Sequence, residues 1–154
     1  MKILLAVDGS ESSDSAVESV LQRWDPSQCA VLVLHAVDAL KLMPTPTAVV
    51  VAPFMIQDYF GLRKQWIEEG EKLVAQTATQ LKDAGFRVIQ RVEEGDAKKI
   101  ILDSAEQWKA DLILLGSHGR HGVDRLLLGS VSEAVARSAP CSVEIVRAPA
   151  HAAA

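Results

Sequence analysis

A chain of 154 residues with 49% hydrophobic composition can bury the core of one domain and gives no reason to divide it in two. A formal charge of −4 and an isoelectric point near 5.5, without a basic stripe, exclude a nucleic-acid groove, which needs clustered Lys and Arg against the phosphate backbone. No window is long and apolar enough to cross a bilayer, the start MKILLAVDGS turns polar too soon for a signal segment, and Cys29 and Cys141 form no C-x-x-C or disulfide framework. The expectation is a soluble cytoplasmic protein with no membrane contact, whose two cysteines are small core residues.

Residues 2–7 form a compact apolar strand that ends at Asp8-Gly9-Ser10. Ser10 is placed to cap a helix whose buried face is Ser13, Ala16, Val17, Val20, Leu21 and Trp24, spaced as one side of a 3.6-residue period. Asp25-Pro26-Ser27 breaks it, and residues 30–37 read as a second buried strand. Residues 39–54 carry Pro44, Pro46 and Pro53 and make a long irregular connection, read as a disordered excursion or a lid. A long helix is expected from about 57 to 84, with Phe60, Lys64, Ile67, Leu73, Val74, Thr77 and Leu81 near one side, a weak interruption at Gly70 and Gly85 at its C′ position. The charged alternation of residues 86–92 suits an edge strand. Asp96 caps a helix presenting Ile100, Ile101, Ser104, Ala105 and Trp108.

Residues 111–137, DLILLGSHGRHGVDRLLLGSVSEAVAR, organise the rest. Leu112 to Leu115 is an unbroken apolar run suited to a strand buried on both faces, and Gly116, Gly119, Gly122 and Gly129 follow, allowing positive φ and close approach to a ligand. Ser130 with Glu133 fits a capping box opening a helix in which Val131, Ala134, Val135 and Ser138 share one face. Strand, glycine loop and helix N-terminus present backbone N–H groups to an anion, and the natural anion is a phosphate. A fifth strand covers 142–146, so the domain spans 1–148 and leaves 149–154 as a flexible tail. The alternation predicts an α/β fold, an open five-stranded parallel sheet of order 3-2-1-4-5 with helices on both faces. Its ligand crevice opens where the winding reverses, at the ends of strands 1 and 4, which carry Asp8 and Gly116.

Gly116-x2-Gly119, nine residues, then Gly129-Ser130 resembles the G-2x-G-9x-G-[ST] nucleotide signature of the universal stress protein family. AVDGS at strand 1, VLHAVD at strand 2 and ADLILLGSHGR at strand 4 extend the likeness over nearly the whole chain. The resemblance implies a Rossmann-like fold of the adenine nucleotide alpha hydrolase type, an ATP site, and a homodimer formed through the last strand. It implies that Asp8 holds the ribose, that the backbone of Ala36 reads the adenine edge, and that Gly116, Gly119, Gly129, Ser130 and Val131 surround the phosphates. One departure is Pro140-Cys141-Ser142, in which the proline precedes the cysteine.

The residues support these roles on their own chemistry. A carboxylate after strand 1 can accept two hydrogen bonds from a ribose, and Arg120 and Arg125 lie near enough in sequence to add charge-assisted bonds to phosphates. Mg²⁺ would arrive with the nucleotide rather than in a protein cage. Each has a plainer reading beside it. Asp8-Gly9-Ser10 is also an ordinary strand-to-helix turn, the Ser130 hydroxyl has a use as a helix cap, and His35 reads first as a packed, hydrogen-bonded histidine. His118 and His121 lack a metal-binding frame. There is no Walker lysine motif and no G-x-G-x-x-G after strand 1, and no catalytic constellation assembles. The expectation is a regulatory ATP-binding stress-response module with slow or no hydrolysis. An ATP-hydrolysing or adenylating enzyme and a nucleotide-free dimeric scaffold stand as alternatives. Ser142, Val143, Ile145 and Val146 on a terminal edge strand offer backbone groups that an identical strand could satisfy.

Overall fold

The structure is a computed structural model that describes residues 1–38, 54–119 and 128–149, with the backbone alone over 54–58. The elements alternate in chain order: β1 Lys2–Ala6, α1 Glu11–Arg23, β2 Ala30–Val37, α2 Phe54–Asp83, β3 Arg87–Glu94, α3 Ala97–Trp108, β4 Leu112–Gly116, α4 Ser130–Ser138 and β5 Ser142–Val146. The strands form one parallel sheet of order β3-β2-β1-β4-β5, as expected. In register, Leu5 of β1 lies between Val33 of β2 and Leu114 of β4.

Strands covered on both faces need apolar residues at every position, which is why β1, β2 and β4 read as continuous runs. Ile3, Leu5, Val31, Val33, Leu112 and Leu114 face one way and pack under Ala16, Val17 and Val20 of α1 and Val74 and Leu81 of α2. Leu4, Leu32, Leu34, Ile113 and Leu115 face the other way, under Ile100, Ile101 and Ala105 of α3 and Val135 of α4. The edge strand β5 is tied to α1 by Glu144, which accepts from Arg23 Nη1 at 2.5 Å and from Ser19 Oγ at 3.1 Å.

Helix ends follow the local chemistry. Ser10 Oγ accepts from Ser13 N at 3.2 Å, and Asp96 Oδ1 accepts from Lys98 N at 2.8 Å. At the end of α2, Gly85 takes φ +94°, Gly85 N donates to Lys82 O and Phe86 N donates to Leu81 O, the paired bonds of a Schellman ending. One expected cap does not form. Gly129, not Ser130, is the N-cap of α4, so Ser130 is already the first helical residue and no side chain among the described residues caps the helix; the capping box with Glu133 is displaced by one position.

α2 also departs from expectation. Burial begins at Gly70 and continues through Val74, Thr77, Ala78 and Leu81, whereas Phe60 is 58% exposed and the Lys64 side chain 80% exposed. A Cβ on Gly70 would stand 2.6 Å from His35 Cδ2 and 3.5 Å from Val37 Cγ2, so Gly70 marks where the helix crosses the last residues of β2. The sixteen residues before it run roughly 24 Å at 1.5 Å each, past the end of the sheet, so periodicity there has no core to meet. Arg63 ties this stretch down with paired bonds to Glu94 at 2.7 and 2.6 Å, at the end of β3. The segment 39–53 and the tail from 150 lie outside the described residues.

Candidate functional site

Because β1 connects outward to β2 and β4 lies on its other side, the chain leaves the sheet in opposite directions after Ala6 and after Gly116, opening a crevice between them. A cavity of about 420 Å³ occupies it. Its inner wall is apolar, with Ala6, Leu34, Ala36 and Leu115 from the strands and Ala97 and Ile101 from α3. Its outer wall is polar, with Asp8, His118 and Gly119 facing the start of α4 at Gly129, Ser130 and Ser132.

Close packing, rather than unusual dihedrals, explains the glycines of this wall. Positive φ is confined among the described glycines to Gly9, Gly85 and Gly95, so the positive φ expected for the phosphate loop is not found at Gly116, Gly119 or Gly129. A Cβ at Gly116 would meet Ser12 Oγ at 2.5 Å and the backbone of Ser12 and Ser13 at 2.8 Å. One at Gly119 would meet Asp8 Oδ2 at 3.1 Å, and one at Gly129 would meet Ser117 O at 3.1 Å. Glycine at these positions lets the loop after β4 lie against α1 on one side and α4 on the other.

Four hydroxyls and amides fix that loop. Ser132 Oγ donates to Gly116 O at 2.8 Å and Ser117 O at 3.2 Å, and Gly129 N donates to Ser117 O at 2.8 Å. Ser12 Oγ and Ser10 Oγ donate to His118 O at 2.6 and 3.1 Å. Every carbonyl from 116 to 118 is therefore taken by a protein donor. Asp8 uses one oxygen locally, Oδ1 accepting from Ser10 N at 3.0 Å, while its own N–H donates to Ser13 Oγ at 3.1 Å. The turn reading of Asp8-Gly9-Ser10 is met by these bonds. His35 is buried, with Nδ1 2.7 Å from Val7 O, the packed histidine expected.

The structure brings Asp8, Ala36, Gly116, Gly119, Gly129, Ser130 and Val131 to one cavity; Arg120, with Arg125 and His121, lies outside the described residues. Sequence reasoning missed Ser12, Ser117 and Ser132, all buried to within a few per cent, and the α3 wall of Ala97 and Ile101. For Ser12 and Ser132, the dense serines of DGSESS and GSVSE were the available signal. Among the described residues no group of three or more His, Cys, Asp or Glu is placed to hold a metal, and no helix is long and apolar enough to cross a membrane.

A sequence model of the Universal stress protein family matches residues 1–147. The chain belongs to this family. Among the universal stress proteins it is similar to YxiE of Bacillus subtilis, 29% identical over 147 residues that cover 95% of this chain and 98% of that protein. The solved structure of the hypothetical protein MJ0577 superposes with a TM-score of 0.82 at 26% identity over 97% of both chains. A universal stress protein solved in complex with cAMP shares the fold, with a TM-score of 0.64 at 24% identity over 97% of this chain and 98% of that one.

Proposed function

We propose that the crevice between β1 and β4 binds an adenine nucleotide, ATP first among them, and that the protein is a nucleotide-dependent regulatory module of the stress response with slow or no hydrolysis. The observation that carries this reading is the polarity of the cavity. Two helices of the cavity wall, α3 and α4, begin at it, but the first amides of α3 are spent on the Asp96 carboxylate, whereas α4 has no side-chain cap among the described residues. With the carbonyls of residues 116–118 engaged elsewhere, the α4 end offers amide N–H groups and a positive dipole end to an anion. The apolar wall of Ala36, Leu34 and Ile101 suits a flat base, with the Ala36 backbone at the adenine edge. Asp8, between them, suits the ribose hydroxyls and repels a phosphate. Gly116, Gly119, Gly129, Ser130 and Val131 enclose the phosphates, with Arg120 contributing charge and any Mg²⁺ coming with the nucleotide.

Asp8 and His118 are the titratable side chains among the described cavity residues, which favours holding a nucleotide over turning it over. That the related fold has been solved with cAMP directs the first tests to adenine nucleotides. The family reading also supports a cytoplasmic homodimer of one domain over 1–148, joined through Ser142, Val143, Ile145 and Val146 of β5, an edge strand paired on one side to β4. Mass identification of the small molecule released on denaturing the purified protein, with calorimetric titration of ATP, ADP and AMP, tests the binding reading. No released nucleotide and no heat of binding would reject it. Rapid Mg²⁺-dependent release of phosphate or pyrophosphate would replace it with an enzyme. Asp8→Ala should weaken binding by about 1–3 kcal/mol, the worth of a hydrogen bond to a charged group.

A further inference from the structure

The sheet has two edges, and β3 is the one opposite β5. Its eight residues run in continuous register with β2 and have no strand on their other side among the described residues. Unpaired edges accept further strands, and proteins commonly blunt them with lysine, proline, a bulge or a short length. The sequence RVIQRVEE has no lysine, proline or glycine, and its register with β2 is unbroken by a bulge. Val88 and Val92 pack against the core beneath α2. Ile89, in register with Leu32 on the opposite face, is 46% exposed. The charges along the strand change sign, from Arg87 and Arg91 to Glu93 and Glu94. Arg63 holds Glu94, and Glu93 stands 3.3 Å from Arg91 Nη1.

We propose that this edge docks a second copy of the chain, the two β3 strands pairing antiparallel about a two-fold axis at Gln90. The axis stands perpendicular to the sheet, so each face continues across the join and odd-numbered residues oppose only odd-numbered ones. Three registers give long overlap, and their charges separate them. With Ile89 on the axis, Arg87 opposes Arg91 of the second copy, and symmetry repeats the repulsion. With Arg91 on the axis, the two arginines oppose each other and Ile89 opposes Glu93. With Gln90 on the axis, Arg87 opposes Glu93, Val88 opposes Val92, and Ile89 lies beside the apolar stem of Arg91. The two Gln90 amides then meet, each with a donor and an acceptor for the other. Opposite charges directly across strands favour pairing and like charges disfavour it, which selects this third register. The contact uses the edge away from β5, so it is independent of both the nucleotide reading and the homodimer proposed above.

The register can be read by disulfide formation, because each alternative puts a different residue against its own copy. Ile89→Cys, Gln90→Cys and Arg91→Cys are made in a Cys141→Ser background, Cys29 being buried, with Lys72→Cys on the exposed side of α2 as the collision control. Copper phenanthroline oxidation at micromolar protein should join Gln90→Cys fastest. The other two strand positions lie diagonally from their copies, at about 7–8 Å, beyond easy disulfide reach. Fastest joining at 89 or 91 would overturn the register, and joining no faster than Lys72→Cys at all three positions would overturn the docking edge. Sedimentation of proteins with native cysteines supplies the second measurement. Arg87→Glu turns two attractions into two repulsions and should weaken this association roughly 10-fold or more, and Arg87→Glu with Glu93→Arg should restore it. Association unchanged by Arg87→Glu, or lost equally in the double variant, would refute the pairing of 87 with 93.

Discussion

Gly116→Ala puts a single methyl group where β4 meets α1. The glycine does not have positive φ, so alanine is acceptable to its backbone and the effect is one of space alone. The new Cβ would stand 2.5 Å from Ser12 Oγ, which could swing away, and 2.8 Å from Ser12 C and Ser13 N, which cannot move without the first turn of α1. That turn carries Ser10, Ser12 and Ser13, which hold His118 O and Asp8 N, so relief of the clash disturbs the polar wall of the cavity. Overpacking against main chain belongs at the upper part of the usual range, roughly 2–3 kcal/mol. For a chain of this length that lowers Tm by roughly 4–12 °C. The control is Gly119→Ala, whose Cβ meets one carboxylate oxygen of Asp8 at 3.1 Å, a side-chain atom rather than main chain. It should cost under about 1 kcal/mol of stability and act on ligand binding instead. Thermal unfolding followed by circular dichroism, with AMP titration of both variants, reads the contrast. If Gly116→Ala melts within about 1 °C of the parent, the close approach of β4 to α1 is wrong.

Ser132→Ala removes a hydroxyl that is 3% exposed and serves Gly116 O and Ser117 O. A loss of about 1–2 kcal/mol is expected from urea unfolding, because Gly116 O then lacks its described donor, and nucleotide binding should weaken with it. Gly70→Ala gains helix propensity of up to about 1 kcal/mol but drives a Cβ to 2.6 Å from a His35 ring that is held by Val7 O. The overpacking should prevail and leave the variant less stable by about 1–2 kcal/mol, the opposite sign to an exposed helical Gly→Ala. Burial, and then the Asp111 carboxylate, push the Cys141 thiol above its ordinary value of 9.0. At pH 8 it therefore carries less thiolate than a free cysteine and should alkylate more slowly with iodoacetamide, and Asp111→Asn should speed the reaction.

The sheet was legible because buried parallel strands have little latitude. Each of Leu4, Leu32 and Ile113 is packed on one face while its neighbours pack on the other, and that requirement writes itself as an apolar run. Strand order followed from right-handed helical crossovers, and the cavity from the reversal between β1 and β4. What escaped reading depends on contacts between distant segments. Ser12 and His118 are 106 residues apart, and nothing in DGSESS says that its second serine reaches the loop after β4. The outward half of α2 shows apolar spacing at Phe60 and Ile67, but periodicity cannot say where the sheet beneath a helix ends. Gly70 read as a weakness of the helix, and the structure makes it the point of contact with His35.

The start of α4 joins two of these lessons. A serine, threonine or aspartate at position 129 would ordinarily stabilise the helix by about 1 kcal/mol, and the sequence places a serine one residue too late to do it. The reason is steric. Gly129 N donates to Ser117 O at 2.8 Å, and at that approach a Cβ on residue 129 would stand 3.1 Å from the same carbonyl, so a capping side chain there needs the loop after β4 to give by a few tenths of an ångström. The same bond occupies Ser117 O, and Ser132 holds Gly116 O beside it. The start of α4 thus has no side-chain cap among the described residues and stands beside carbonyl oxygens that are already engaged. Under the nucleotide reading proposed above, both results favour an anion at this wall.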